Sequence, residues 1–275
     1  MTQAEKATRF RELHHTGKTL VLPNAWDVGS ALVFEKAGFP AIATTSAGVA
    51  AVFGYPDGQY ISPDLMLDMV SRIAHAVSVP VTADVEAGYD NAVKTGLAVM
   101  AAGAVGVNLE DTLSADPTTL IGLSQQTDTI RQVRQETNLV INARCDIFLS
   151  GIGEAAARFE HTVERARAYH AAGADSVFIP GVTDAGTIGR LVKAIDGPIN
   201  ILALAGVPSI PDLQELGVAR VSIGSGGARA ALGLARRLAS ELRDHGTFTS
   251  MTADPLSYPE LQLLLRESAS AVPNP

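Results

Sequence analysis

The stretch Ala101-Ala102-Gly103-Ala104-Val105-Gly106-Val107-Asn108-Leu109-Glu110-Asp111 contains the unit from which the fold is read. A helical pattern ends on a glycine, an apolar strand follows at once, and polar and acidic residues close it. Glycine suits the helix end, where the chain must enter the left-handed region that other residues resist. The device returns in Lys36-Ala37-Gly38-Phe39, Ala171-Ala172-Gly173-Ala174 and Glu215-Leu216-Gly217-Val218.

Working outward, β-branched runs predict strands over residues 19–23, 41–45, 79–85, 105–109, 139–143, 176–180, 198–203 and 220–224. Apolar residues at helical spacing follow each one, as over residues 65–77. Eight βα units with no Pro-rich or charged linker between them predict an α/β chain folded as a single (β/α)8 TIM-type barrel, over residues 1–246. An open doubly wound sheet fits the count less well. Residues 247–275 read as a C-terminal helical extension in which Leu261, Leu263, Leu264 and Leu265 crowd one short helix. That much apolar surface on a lone terminal helix points to an interface.

At roughly 150 residues per domain, a chain of 275 allows two domains or one large barrel, and the unbroken rhythm favours one. Hydrophobic residues make up 47% and charged residues 18%, which suits a well-buried globular protein rather than a disordered one. Lys and Arg number 21 against 29 Asp and Glu, a net charge of -8 that argues against nucleic acid as a partner. There is one cysteine, no basic-then-apolar leader and no apolar run of about 18 residues. The expectation is a cytoplasmic protein with no membrane partner.

Barrel chemistry sits where strands end. Strand one ends at Asn24, Trp26 and Asp27, and strand two at Thr44, Thr45 and Ser46, with Asp57 on the loop beyond. Strand three ends at Asp84 and Glu86, strand four at Asn108, Glu110 and Asp111, and strand five at Asn142, Arg144 and Asp146. Residues two apart share a face of a strand, so Thr82, Asp84 and Glu86 are expected to point together into the barrel. Converging acids call for a cation, and oxygen-only ligands select Mg²⁺ or Mn²⁺. Arg144 is placed either to bind a substrate carboxylate bidentately or to bridge acids within the ring. Asp27, Asp111 and Asp146 serve equally well as helix caps.

The lysines Lys6, Lys18, Lys36, Lys94 and Lys193 fall on helices, before strands or in the N-terminal segment, which excludes a Schiff-base aldolase. The six histidines are similarly placed, so a His-ligated zinc hydrolase lacks its ligands. Cys145 follows Arg144 and should face the layer between barrel and helices. Gly224-Ser225-Gly226-Gly227 has the composition of a phosphate cradle before a helix.

These residues together resemble the isocitrate lyase/phosphoenolpyruvate mutase superfamily over nearly the whole chain. The resemblance is carried by Pro23-Asn24-Ala25-Trp26-Asp27, Thr45-Ser46-Ala47-Gly48, Gly54-Tyr55-Pro56-Asp57, Ala83-Asp84-Val85-Glu86-Ala87-Gly88-Tyr89, Val107-Asn108-Leu109-Glu110-Asp111 and Asn142-Ala143-Arg144-Cys145-Asp146. It implies a Mg²⁺- or Mn²⁺-dependent enzyme that makes or breaks a bond next to a small 2-oxo carboxylate through an enolate-like intermediate. By the same resemblance, Asp84 is the direct metal ligand, and Asp57, Glu86 and Glu110 reach the metal through water. Thr45, Ser46 and Ala47 line the substrate carboxylate, Arg144 binds its oxygens, and Asp57 and Arg144 carry the catalytic roles. A homotetramer built as a dimer of dimers is implied too, with the C-terminal helix exchanged between subunits.

Where the superfamily's lyases carry a Lys-Lys/Arg-Cys-Gly-His motif, this chain reads Thr112-Leu113-Ser114-Ala115-Asp116-Pro117-Thr118-Thr119. The lysine and asparagine of the phosphonate enzymes are absent from the same loop. Three readings stay open: a C–C lyase or decarboxylase acting on a 2-oxo or 2-hydroxy di- or tricarboxylate, a phosphonopyruvate-type C–P enzyme, and a non-catalytic 2-oxo-acid binding protein.

Overall fold

The computed structural model describes residues 1–113 and 116–269, so residues 270–275 of the predicted extension lie outside the described residues. The strands are β1 (Leu20–Leu22), β2 (Asn24–Ala25), β3 (Ile42–Thr44), β4 (Val81–Asp84), β5 (Gly106–Glu110), β6 (Thr112–Leu113), β7 (Asp116–Leu120), β8 (Val140–Arg144), β9 (Ser176–Ile179), β10 (Ile199–Leu202) and β11 (Arg220–Ser222). Nine of them form one sheet in the order β1-β11-β10-β9-β8-β5-β4-β3-β2, and β6 and β7 make a separate hairpin.

The ninth strand is an effect of Pro23. β1 pairs in parallel with β11, Leu20 beside Arg220, whereas β2 pairs in parallel with β3, Asn24 beside Ala43. Proline has no N–H to give to a ladder. The extended segment therefore changes neighbour there, while the Pro23 carbonyl still accepts from the Ala43 N–H at 2.9 Å. Both edges of the sheet meet on this one segment, and the eight predicted units close as a TIM-type barrel.

A large core lies between sheet and helices, with Ile73, Val99, Ile130, Ile141, Ile179 and Leu213 among its members. A smaller one fills the bottom of the barrel with Phe10, Leu22, Ala43 and Val140. Phe10 comes from the helix Gln3–Leu13, an element beyond the eight units, started by a capping box between Thr2 and Glu5. Cys145 is fully buried in the larger core, as its position after Arg144 predicts.

The helix after β11, Gly226–His245, buries only Ala228. Leu232 and Leu242 stay 60% and 54% exposed, so the unpartnered apolar surface begins before the predicted extension. The last helix, Tyr258–Ala269, lies against the helix Val28–Lys36 of the same chain. Leu261, Leu263 and Leu265 remain exposed there nonetheless.

The barrel bottom yields a direct test of packing. A Cβ on Gly106 would stand 2.8 Å from the Phe10 ring and 2.7 Å from the Thr82 hydroxyl. Gly106→Ala is expected to cost about 1–3 kcal/mol of stability by overpacking. Thermal unfolding checks this, and an unchanged midpoint contradicts the account of the plug.

Candidate active site

The acids meet at the C-terminal mouth because each leaves the sheet at the same end. Asp84 is the last residue of β4 and is nearly buried. Its backbone N–H donates to the Thr44 hydroxyl at 2.9 Å, and its Oδ2 accepts from the Ser46 N–H at 3.1 Å and the Ser46 hydroxyl at 3.0 Å. Its Oδ1 is buried with no protein partner. Ser46 comes so close because it opens the helix Ser46–Val52, capped by the Thr45 hydroxyl on the Gly48 N–H. Gly48 has no space for a side chain: a Cβ would lie 2.6 Å from Thr45 and 2.8 Å from Trp26.

Glu86 reaches the site by a route that strand alternation does not describe. β4 ends at Asp84, and Glu86 has φ 54°, in the left-handed region. A non-glycine residue held there stores strain that its surroundings must offset. Gln59 on the facing loop (φ 61°) and Tyr89 (φ 55°) share this conformation. All three carry a buried polar atom without a partner: Glu86 Oε1, Gln59 Nε2 and the Tyr89 hydroxyl. The sequence reading missed Gln59 and Tyr89, since nothing in the chain itself marks a strained backbone.

Arg144 sits between two acids and an aromatic ring. Its Nη1 lies 2.8 Å from Glu110, its Nε donates to Asp146 at 2.7 Å, and the Phe178 ring centroid lies 6.0 Å from the guanidinium carbon. The bridge within the acid ring is thus the arrangement present, and Glu110 is spent largely on Arg144. Among the described residues, no three His, Cys, Asp or Glu side chains stand close enough to grip one ion. The predicted set Asp84, Glu86 and Glu110 is therefore not a three-ligand cage, although it does converge.

Crowding shifts these groups. Burial, with Asp57 and Asp84 beside it, pushes Glu86 up to about 7. Burial and Asp84 raise Asp57 as well, though that residue on its loop still meets solvent. Glu110 is raised by burial, against the pull of Arg144. Burial opposes the charge on Arg144, but Glu110 and Asp146 outweigh it and hold the guanidinium protonated.

Other predicted residues serve the frame. Asp27 caps the helix Val28–Lys36 by accepting from the Ser30 N–H at 2.7 Å. Asp111 lies buried beneath the site, accepting from Arg165 at 2.8 Å, from the Tyr169 hydroxyl at 2.6 Å and from the Asp146 N–H at 3.0 Å. Asn24 donates to the Thr44 carbonyl and accepts from the Ile223 and Gly224 N–H groups, each at 2.9 Å. The glycine loop at 224–227 is partly engaged within the fold, the Gly224 N–H donating to Asn24 and the Gly226 N–H to the Ile223 carbonyl.

Two hollows meet over the acids. One, of about 330 Å³, is lined by Asp57, Glu86, Glu110 and Arg144, with Leu113 and Pro117 of the β6–β7 hairpin above. The other, of about 250 Å³, is lined by Thr45, Ser46, Ala47, Asp57, Asp84, Arg144 and Arg229. Phe178, Leu202, Leu204 and Ile223 add apolar surface to it. A census of strand ends carried past strand five would have found Phe178 and Ser222, whereas Arg229 has no such signal.

Comparison with known proteins agrees with this geometry. A model of the phosphoenolpyruvate phosphomutase family matches residues 10–243. An uncharacterized protein of Mycobacterium tuberculosis strain H37Rv is 37% identical, over 86% of this chain and 89% of its own. An oxaloacetate decarboxylase of Bradyrhizobium sp. strain BTAi1 is 30% identical, over 76% of this chain and 74% of its own. The structure of a phosphonopyruvate hydrolase complexed with oxalate and Mg²⁺ matches at a TM-score of 0.84 and 25% identity, over 98% of this chain and 97% of that one. The barrel, the order of its motifs and these relatives agree: the chain belongs to the phosphoenolpyruvate phosphomutase family, within the isocitrate lyase/phosphoenolpyruvate mutase superfamily.

Proposed function

We propose that the protein is a Mg²⁺- or Mn²⁺-dependent C–C lyase or decarboxylase acting on a small 2-oxo or 2-hydroxy di- or tricarboxylate. The carrying observation is the pair of buried, unpartnered carboxylate oxygens, Asp84 Oδ1 in the lining residue of one hollow and Glu86 Oε1 in that of the other. A hard divalent ion suits such oxygens, since Mg²⁺ takes one or two carboxylates and keeps several waters. Asp84 would hold it directly, with Asp57, Glu86 and Glu110 acting through water. When bound, the ion polarises the 2-oxo group and favours the enolate-like charge that bond cleavage develops.

The chain's own residues do the rest. Arg144, kept cationic by its acids, offers N–H groups to the carboxylate next to the 2-oxo carbon. Ser46 and Ala47 flank that carboxylate at the start of their helix. Asp57, raised and close to solvent, carries the proton between substrate and water. Arg229 has no ion-pair partner among the described residues and lines the same cavity as Arg144, which supports a substrate with a second carboxylate. The apolar part of the lining supports a short alkyl segment in that substrate. Two of the four N–H groups of the loop that favours the C–P reading are already engaged, which weakens that reading. The exposed leucines support assembly into a dimer of dimers. No helix among the described residues is long and apolar enough to cross a membrane, and we place the protein in the cytoplasm.

A metal-supplemented screen of oxaloacetate, isocitrate, 2-methylisocitrate, citramalate and phosphonopyruvate, reading pyruvate or glyoxylate release, tests the reading. Activity should vanish in EDTA and in Asp84→Ala, and full turnover in either removes the proposal. Arg144→Lys keeps the charge but loses the fork. It is expected to cost about 2–5 kcal/mol of 2-oxo-acid binding, and parent-like affinity contradicts the assignment.

The raised Glu86 sets a pH dependence. The fold keeps a proton up to about 7 that the unfolded chain releases near the ordinary carboxyl value of 4.5. Folded protein therefore binds more protons than unfolded across that window, so stability falls as pH rises through it and levels off above. Glu86→Gln should flatten that slope for the metal-free protein in thermal unfolding, and an unaltered slope assigns it elsewhere. Removal of residues 247–275 should shift the assembly to smaller species and lower stability together, and sedimentation at the parent's size overturns the role given to the tail.

A further inference from the structure

The floor of the 250 Å³ cavity holds a hydroxyl whose proton has one direction left. Ser222, on β11, is 1% exposed and lines that cavity. Its Oγ accepts from Arg220 Nε at 3.2 Å and from Asn200 Nδ2 at 3.0 Å. A hydroxyl has two lone pairs and one proton. Both lone pairs are engaged, and among the described residues no acceptor takes the proton. Asn200 turns its Nδ2 to Ser222 and leaves its Oδ1 buried and unpartnered, and since buried donors in folded proteins are almost always paired, the acceptor for the Ser222 proton is assigned to the cavity that Ser222 lines.

Strand geometry explains how three polar side chains meet inside a barrel. Arg220 and Ser222 are two residues apart on β11 and share its interior face, and Asn200 pairs with Arg220 across from β10. Barrel interiors are ordinarily filled with branched apolar side chains. Arg220 instead lies fully buried, its guanidinium carbon 5.9 Å from the centroid of the Phe10 ring. Its Nη1 and Nη2 have no partner, and no carboxylate pairs with it among the described residues. Burial lowers its pKa only to about 9, so it is charged at neutrality. The bond to Ser222 is therefore its one side-chain hydrogen bond, and it points toward the substrate side of the molecule.

We propose that Ser222 is a substrate-binding residue whose O–H, made a donor only by Arg220 and Asn200, meets an anionic oxygen of the bound 2-oxo acid. A donor polarised from behind by a cation is strengthened and prefers a charged acceptor to a neutral one. The ligand atom is thus a carboxylate or enolate oxygen. Arg220 and Asn200 are positioning residues acting through Ser222. The inference rests on reading the cavity as a 2-oxo-acid site.

Oxalate binding in the presence of Mg²⁺, followed by calorimetry on the full chain, tests it. Ser222→Ala should weaken oxalate about 10- to 100-fold, the range for losing a hydrogen bond to a charged group, and Ser222→Cys, which keeps a weak acceptor for Arg220 but donates poorly, should weaken it as well. Arg220→Met should weaken it comparably, and the double variant should bind no worse than the weaker single one. Asn200→Ala completes the same cycle if Arg220→Met does not fold. Parent-like binding by Ser222→Ala, or additive losses in the cycle, overturns this inference alone. Failure of the parent to bind oxalate overturns the reading of the cavity and this inference with it.

Discussion

Five carboxyl groups, Asp57, Asp84, Glu86, Glu110 and Asp146, are gathered around one guanidinium at the mouth of the barrel, and much of the site answers that imbalance. Arg144 can neutralise two of them by contact, and it does so with Glu110 and Asp146. Ser46 gives both of its donors to Asp84. What is left is negative charge beside buried oxygens that no protein group satisfies. Like charges held together out of water are costly unless a cation or a proton relieves them. A divalent ion relieves them best where a substrate also brings oxygens. Strained backbone at Glu86, Gln59 and Tyr89 belongs to the same economy, since relaxed geometry would not aim those groups as they stand.

Such crowding persists only on a frame that cannot spread. Asn24 supplies part of it, tying the Thr44 carbonyl to the first residues after β11 and so joining the first and last strands at the mouth. Asp111 supplies another part from below, where Arg165 and Tyr169 hold it and it holds the Asp146 backbone. Arg144 is thereby fixed at its neighbour's main chain as well as by its own ion pairs. Asp111, through the Asp146 main chain, thus helps to set where the guanidinium stands.

The outer helices follow a different logic. Seven helical segments cover their strands, but Gly226–His245 buries a single residue and Tyr258–Ala269 leaves its leucines open. A chain that packs its barrel bottom tightly enough to exclude one methyl group at Gly106 does not leave leucines wet for want of packing skill. The uncovered leucines are the surface that the proposed assembly would cover.

The eight-unit barrel was legible in sequence because glycine caps and short β-branched runs are local signals that repeat. The acids Asp57, Asp84, Glu86 and Glu110, with Arg144, were legible as well, since the ends of barrel strands are where chemistry gathers. What tertiary structure alone decided are matters of angle and partner. It ended β4 at Asp84 and turned Glu86 by a positive φ. It spent Glu110 on Arg144, engaged the glycine loop with Asn24, and set Arg220 behind Ser222. Local pattern reports which side chains a strand end presents, because alternation has a fixed period. It cannot report which donor meets which acceptor across strands far apart in sequence, because that depends on how the ring closes.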